Sequence, residues 1–203
     1  MKETGRFAGV RGELGVNMLG WGAVSAGGTY MDGNMYYDGS TFAGTPIKTL
    51  TKDYFRDTRV LVHAMLFPFT LSYGVGQRYW YDDLVISYRR RTRYDYNPLI
   101  ITYTDSSFYI RYEQDLWSKG WNKSHMSDVS NTRHDVEFTL GKGSGMGFEV
   151  GLFVPAQGFV SHLFVAYHKW AIKQSNVQND GTSNLVEPEN QTETLQFGLG
   201  LVF

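Results

Sequence analysis

The chain has no cysteine, so disulfides cannot hold it together and thiolate metal sites are excluded. Proline is scarce, with 5 residues in 203, which leaves long stretches free to form ladders that proline would interrupt. No run reaches the ~18 apolar residues a membrane-crossing helix needs. A chain of this kind can cross a membrane only with strands. Met1 and Lys2 are followed by Glu3, Thr4 and Gly5 rather than by an apolar stretch, so no secretory signal is expected in these residues, and the barrel reading expects one to have been removed. Neither sign of charge is in excess: the formal net charge is -1, which gives no reason to expect nucleic acid as a partner. Phosphate loops, dinucleotide fingerprints and zinc spacings are also missing, and no cofactor or metal is expected.

Aromatic residues are plentiful at 16%, with 14 tyrosines, and glycine reaches 23 residues. Both favour β structure, because rings suit a pleated surface and glycine permits bulges and close strand approach. The length fits one domain over residues 1–203. Apolar and polar residues alternate with period two from Phe7 to Leu19, where Ala8, Val10, Leu14, Val16 and Met18 oppose Arg11, Glu13 and Asn17. The same alternation marks strands near 54–67, 69–81, 84–104, 107–120, 132–154, 157–174 and 191–203. Residues 21–53 break the pattern with Gly27-Gly28, Asp32-Gly33, Asp38-Gly39 and Pro46, and read as one long extracellular loop with a small β extension. Counting 6–20 as the first, the reading is an all-β, antiparallel, eight-stranded transmembrane barrel. Two true spanning strands within 21–53 would make it ten. In 132–154 an unbroken even parity from Val136 to Leu152 favours one strand over a hairpin at Gly141 to Gly145. Short turns (67–69, 104–107, 154–157) alternate with longer or polar connections, as in a barrel inserted from one side.

The closing stretch, LQFGLGLVF, puts Leu195, Phe197, Leu199, Leu201 and Phe203 on one face and Gln196, Gly198, Gly200 and Val202 on the other. With this strand and its terminal Phe203 the chain resembles the small bacterial outer-membrane barrels exemplified by the OmpA membrane domain, OmpX and NspA. That resemblance implies an outer-membrane location in a Gram-negative envelope, contact with lipids and lipopolysaccharide, recognition of the closing strand by the barrel-assembly machinery, and a monomer. The aromatic group Tyr79, Trp80, Tyr81, Tyr88, Tyr94, Tyr96, Trp117 and Trp121 suits a membrane–water interface.

If the apolar parity faces lipid, the inward set is Arg11, Glu13, Asp57, Arg59, His63, Arg78, Arg89, Arg91, Arg93, Asp95, Arg111, Glu113, Asp115, Asp135, Glu137 and Glu149. An eight-stranded barrel is only just wide enough for side chains to fill, and unpaired buried charge is costly. The expectation is therefore an interlocked ion-pair network in a plugged lumen. Arg90, on the opposite parity, is the residue placed for a lipid phosphate. For catalysis, His125-Met126-Ser127 with Asp128 has the spacing of a nucleophile and its base, and small outer-membrane barrels include lipid A deacylases of similar size. It falls in an expected loop with other flanking residues, so a non-enzymatic envelope protein is favoured, with a lipid A-modifying hydrolase and a small-solute pore as alternatives.

Overall fold

The computed structural model describes residues 2–40, 46–83, 88–156 and 159–202. Phe203 and Ile86 lie outside them, as does the side chain of Trp117. Successive strands pair with their chain neighbours in one antiparallel sheet: β1 (Lys2–Leu19), β2 (Gly22–Ser40), β3 (Pro46–Leu66), β4 (Phe69–Asp83), β5 (Arg89–Thr104) and β6 (Phe108–Ser124). Next come β7 (Val136–Leu140) and β8 (Gly143–Ala156), which share one place beside β6, then β9 (Phe159–Ile172). A small hairpin, β10 (Val177–Asn179) and β11 (Asn184–Val186), precedes β12 (Asn190–Val202), which pairs with β9. The sheet curls strongly, so that Arg11 of β1 reaches Glu149 of β8. Among the described residues no ladder joins β12 to β1.

The sheet has ten strands, and because β7 and β8 share a place it has nine positions, not eight. The segment expected to be a long loop, 21–53, is instead a full strand, β2, and the start of a longer β3. Its alternation is muted because small residues dilute it. Val24, Ala26 and Tyr30 lie on one side, Ser25, Gly27 and Thr29 on the other, and Gly28 faces Gly12 across the ladder. What propensity does not supply, pairing on both sides does.

On the half of the sheet near the short turns, the convex face is apolar. Val10 (73% exposed), Leu14 (84%) and Phe197 (74%) stand out from it, together with Val60, Val62, Leu71, Val75, Phe148, Leu152, Leu163 and Leu199. Tyr30, Tyr54, Tyr79 and Tyr81 then form a row of outward rings, with Tyr54 stacked on the other three at centroid distances of 4.8–6.3 Å. Beyond the rings the polarity inverts. Phe55, Tyr94, Phe138, Leu140, Trp170 and Ile172 are buried on the concave side, while Lys52, Arg91, Lys123 and Glu137 are exposed.

Two shifts of parity accompany this inversion. In β6, Tyr96 of β5 pairs with Ser118 but Pro98 pairs with Asp115, so two residues of β6 face one of β5. This bulge moves the buried set from odd (Glu113, Asp115) to even (Gly120, Asn122, Ser124). The expected bulge at Pro98 thus sits on the facing strand, and β5 keeps one buried parity from Arg90 to Ile100. The second shift is the break at 141–142 between β7 and β8. Val136, Phe138 and Leu140 point inward, whereas Met146, Phe148 and Leu152 point outward, so the even parity that ran through both is not one face.

Candidate functional site

The concave side of the lower sheet holds the charged residues. Arg11 forks onto Glu149 at 2.6 and 2.9 Å, Tyr109 donates to the same carboxylate at 2.6 Å, and the Arg11 guanidinium lies 4.2 Å over Phe164. Arg59 binds Glu113 at 3.1 Å and approaches Glu13 at 3.6 Å. Arg78 binds Asp57 at 2.9 Å, where the Tyr96 hydroxyl also donates at 2.7 Å, and it stacks 4.2 Å from the Trp170 ring. Such charge-assisted bonds, forked at Arg11, fix geometry as well as charge. Inward glycines give the rings room: a Cβ on Gly76 would collide with Tyr96, and one on Gly151 with Tyr109. About 70 Å³ remains open among these groups, room for a few waters.

A chain of hydroxyl and imidazole groups extends this network toward the short turns. Ser25 donates to Glu13 at 2.7 Å and meets His63 Nε2 at 2.7 Å, while His63 Nδ1 meets Ser72 at 2.8 Å. Sequence reading missed Ser25, Ser72 and Tyr109, because uncharged residues on a polar parity carry no mark of their own, and it put Tyr96 among outward interface rings although it is buried against Asp57. Of the residues expected inside, Arg11, Glu13, Asp57, Arg59, His63, Arg78, Arg111, Glu113, Asp115 and Glu149 face the concave side. Asp115 is buried with neither oxygen hydrogen-bonded among the described residues, and Arg111 Nε has no partner there either.

The other expected members are placed differently. Arg89, Arg91, Arg93, Asp95, Asp135 and Glu137 lie on the outer side or in loops, because they belong to the half of the molecule where polarity has inverted. Arg89 pairs with Asp128 at 2.8 Å and Arg93 with Asp95 at 3.4 Å. Arg90, expected to meet lipid phosphate, is 6% exposed and bound to Asp82 at 2.6 Å and Glu187 at 3.2 Å. A buried guanidinium between two carboxylates cannot serve a lipid. The aromatic group divides in the same way: Tyr79, Tyr81 and Trp121 face out, and Trp80, Tyr94 and Tyr96 face in.

Around Arg90 the long connections fold over the mouth of the sheet. Met126, Val136, Phe138 and Leu185 form a dry cluster with Tyr88 packed against it, and Arg133 meets Asp180 at 3.1 Å. Asp180 also shapes the hairpin by accepting from the Thr182 and Ser183 amides at 2.9 and 2.7 Å. Glu187 and Leu185 lie in a stretch that reads only as polar loop, and nothing periodic singles them out.

The candidate nucleophile sits in this cover. A hydrolase needs serine bonded to histidine and histidine oriented by an acid. Here His125 Nδ1 meets Asp135 at 2.8 Å and Ser127 Oγ donates to the other oxygen of Asp135 at 2.6 Å, so the acid stands between the two. Asp128 is occupied by Arg89, whose hydrogen bonds hold its carboxyl below the usual range. Burial pushes the Asp135 carboxyl up, but bonds from Ser127 and His125 outweigh it and hold that group below the ordinary value as well. The arrangement ties a loop together, with Ser127 donating to Asp135 and not to His125. Among the described residues no cluster of histidine and carboxylate side chains could hold a metal. No known family model matches the chain, and no curated protein is similar to it.

Proposed function

We propose that the chain is a bacterial outer-membrane β-barrel protein without enzymatic activity, closed where β1 and β12 come edge to edge, with a self-neutralised interior, a covered mouth and loops facing outside. One observation carries this reading: the same strands present apolar residues outward over one half of their length and charged residues outward over the other, with a row of tyrosines between. A water-soluble sheet has no reason to change sides along its strands. A sheet whose one half stands in hydrocarbon and whose other half stands in water must. On this reading the interior ion pairs serve stability, and lipids with lipopolysaccharide are the surroundings of the apolar band.

The test is the behaviour of the purified protein in detergent. Folded protein should migrate differently from boiled protein on a gel and give a β-type far-ultraviolet circular dichroism spectrum, and it should insert into lipid vesicles. A monomer that stays folded and soluble without detergent would overturn the proposal. Stepwise ion conductance in a planar bilayer would favour a pore instead.

A further inference from the structure

On the outer side of β5 and β6, just beyond the tyrosine row, Arg91 pairs directly with Lys123 across the ladder. Like charges placed opposite each other destabilise a sheet, since their Cβ atoms are only about 5 Å apart. The neighbours of Arg91 on its own face do not relieve it: Arg89 is held by Asp128 and Arg93 by Asp95. Glu137 stands across the ladder on the far side of Lys123 and Asp83 opposite Arg89, but among the described residues no carboxylate lies within ion-pair distance of either Arg91 or Lys123. The flanks are aromatic. Tyr81 lies opposite Arg91 on β4, with the guanidinium 5.7 Å from its ring centre, and Trp121 carries Arg93 at 4.5 Å and Lys119 at 5.6 Å. Two facing cations thus stand at the wet edge of an apolar band with aromatic rings beside them, and the carboxylate across from Lys123, Glu137, lies on the side away from Arg91.

We propose that Arg91 and Lys123 seat the phosphate of an anionic lipid headgroup, with Tyr81 and Trp121 beside the junction of headgroup and acyl chains. The inference rests on the membrane reading above. Arginine presents parallel donors to a phosphate and lysine adds a point charge. The anion turns a repulsive cross-strand pair into a bridged one. A free phosphate in water lacks the apolar band as a second foothold, so the lipid is the source to which the position points.

The experiment compares thermal unfolding and brominated-lipid quenching in vesicles of phosphatidylcholine alone and with phosphatidylglycerol. Each cation near an anionic surface is worth about five-fold in relative affinity, so the wild-type protein should prefer the anionic lipid and Arg91→Gln or Lys123→Gln should each lose about five-fold of that preference. Lys169→Gln, which removes a cation paired with Glu193 at 3.2 Å elsewhere on the outer face, should keep it. In non-ionic detergent Arg91→Gln, whose cross-strand neighbours are Tyr81 and Lys123, should hold or raise the unfolding midpoint because a like-charge pair is gone. Equal preference in Arg91→Gln, Lys123→Gln and the wild type overturns the site. So does a midpoint raised as much by millimolar inorganic phosphate in detergent, which would make it a free-anion site. Failure of the wild type to enter any vesicle overturns the membrane reading instead.

Discussion

A guanidinium buried between two carboxylates, as Arg90 is between Asp82 and Glu187, loses its hydration and recovers it only through those partners. Truncating it leaves two acids in a closed space. Arg90→Ala should therefore lose about 3–5 kcal/mol in urea unfolding from detergent or vesicles, while the exposed Arg91→Ala should lose less than ~1 kcal/mol. Parity counted from the sequence gives the reverse order, because it treats the Arg89 to Arg93 run as lying at membrane depth, where polar residues face in. The run lies beyond the tyrosine row, in the half of the molecule where apolar side chains are buried on the concave side and charged ones are exposed. Lower down, at Arg11, Glu13, Arg59, Glu113 and Glu149, the same counting places residues on the side where they lie, because there the apolar parity does face out. Comparable losses in the two variants, or a larger one for Arg91→Ala, would mean that Arg90 is not held as its two ion pairs suggest.

Among the elements, legibility followed contrast. β4 and β12 alternate sharply between apolar and small residues, and their ranges can be read from the chain. β2 cannot, since glycine and serine alternate with other small residues and only its pairing with β1 and β3 reveals it. The bulge of β6 and the break at 141–142 are silent in sequence because each needs only one or two residues out of step. The connection between β6 and β7 is held by side chains whose charge state matters. Asp128 and Asp135 both titrate below the ordinary carboxylate range in the folded protein. A carboxylate with a depressed folded value stabilises fully above its unfolded pKa of about 3.9 and stops doing so as pH falls through the folded value. Protease cleavage within 125–135 should therefore stay flat from pH 8 to about 5 and rise only below about 4. Ser127→Ala should raise cleavage at every pH, since it removes the 2.6 Å bond to Asp135, and it should leave the acyl chains of added lipids untouched. A lipid that loses a chain only when Ser127 is present would revive the hydrolase.

For the whole molecule the decisive quantity is the number of strand positions. An up-and-down order of nine places the first and last strands in the same direction, so β1 and β12 can pair only in parallel, whereas an even count would let every seam be antiparallel. In hydrocarbon neither edge can stay bare, because each unpaired backbone group costs several kcal/mol by the usual transfer estimates, roughly 2–7 each. The interior already spans the gap: Arg11 of β1 lies against Glu149 and Phe164 of β8 and β9, and residues of β12 line the same small cavity as Glu13. Cysteines introduced in pairs at the outward positions Val10, Leu14 or Val16 of β1 and Leu195, Phe197 or Leu199 of β12 report the seam. A parallel seam should give cross-links between residues whose numbers rise together, so that if Val10 joins Leu195 then Leu14 joins Leu199. Pairs whose numbers run in opposite directions would require β1 or β12 to be reversed and the nine-position order to be wrong. No cross-link at any pair, in protein that is folded and inserted, would mean that β1 and β12 do not meet and that another strand stands between them.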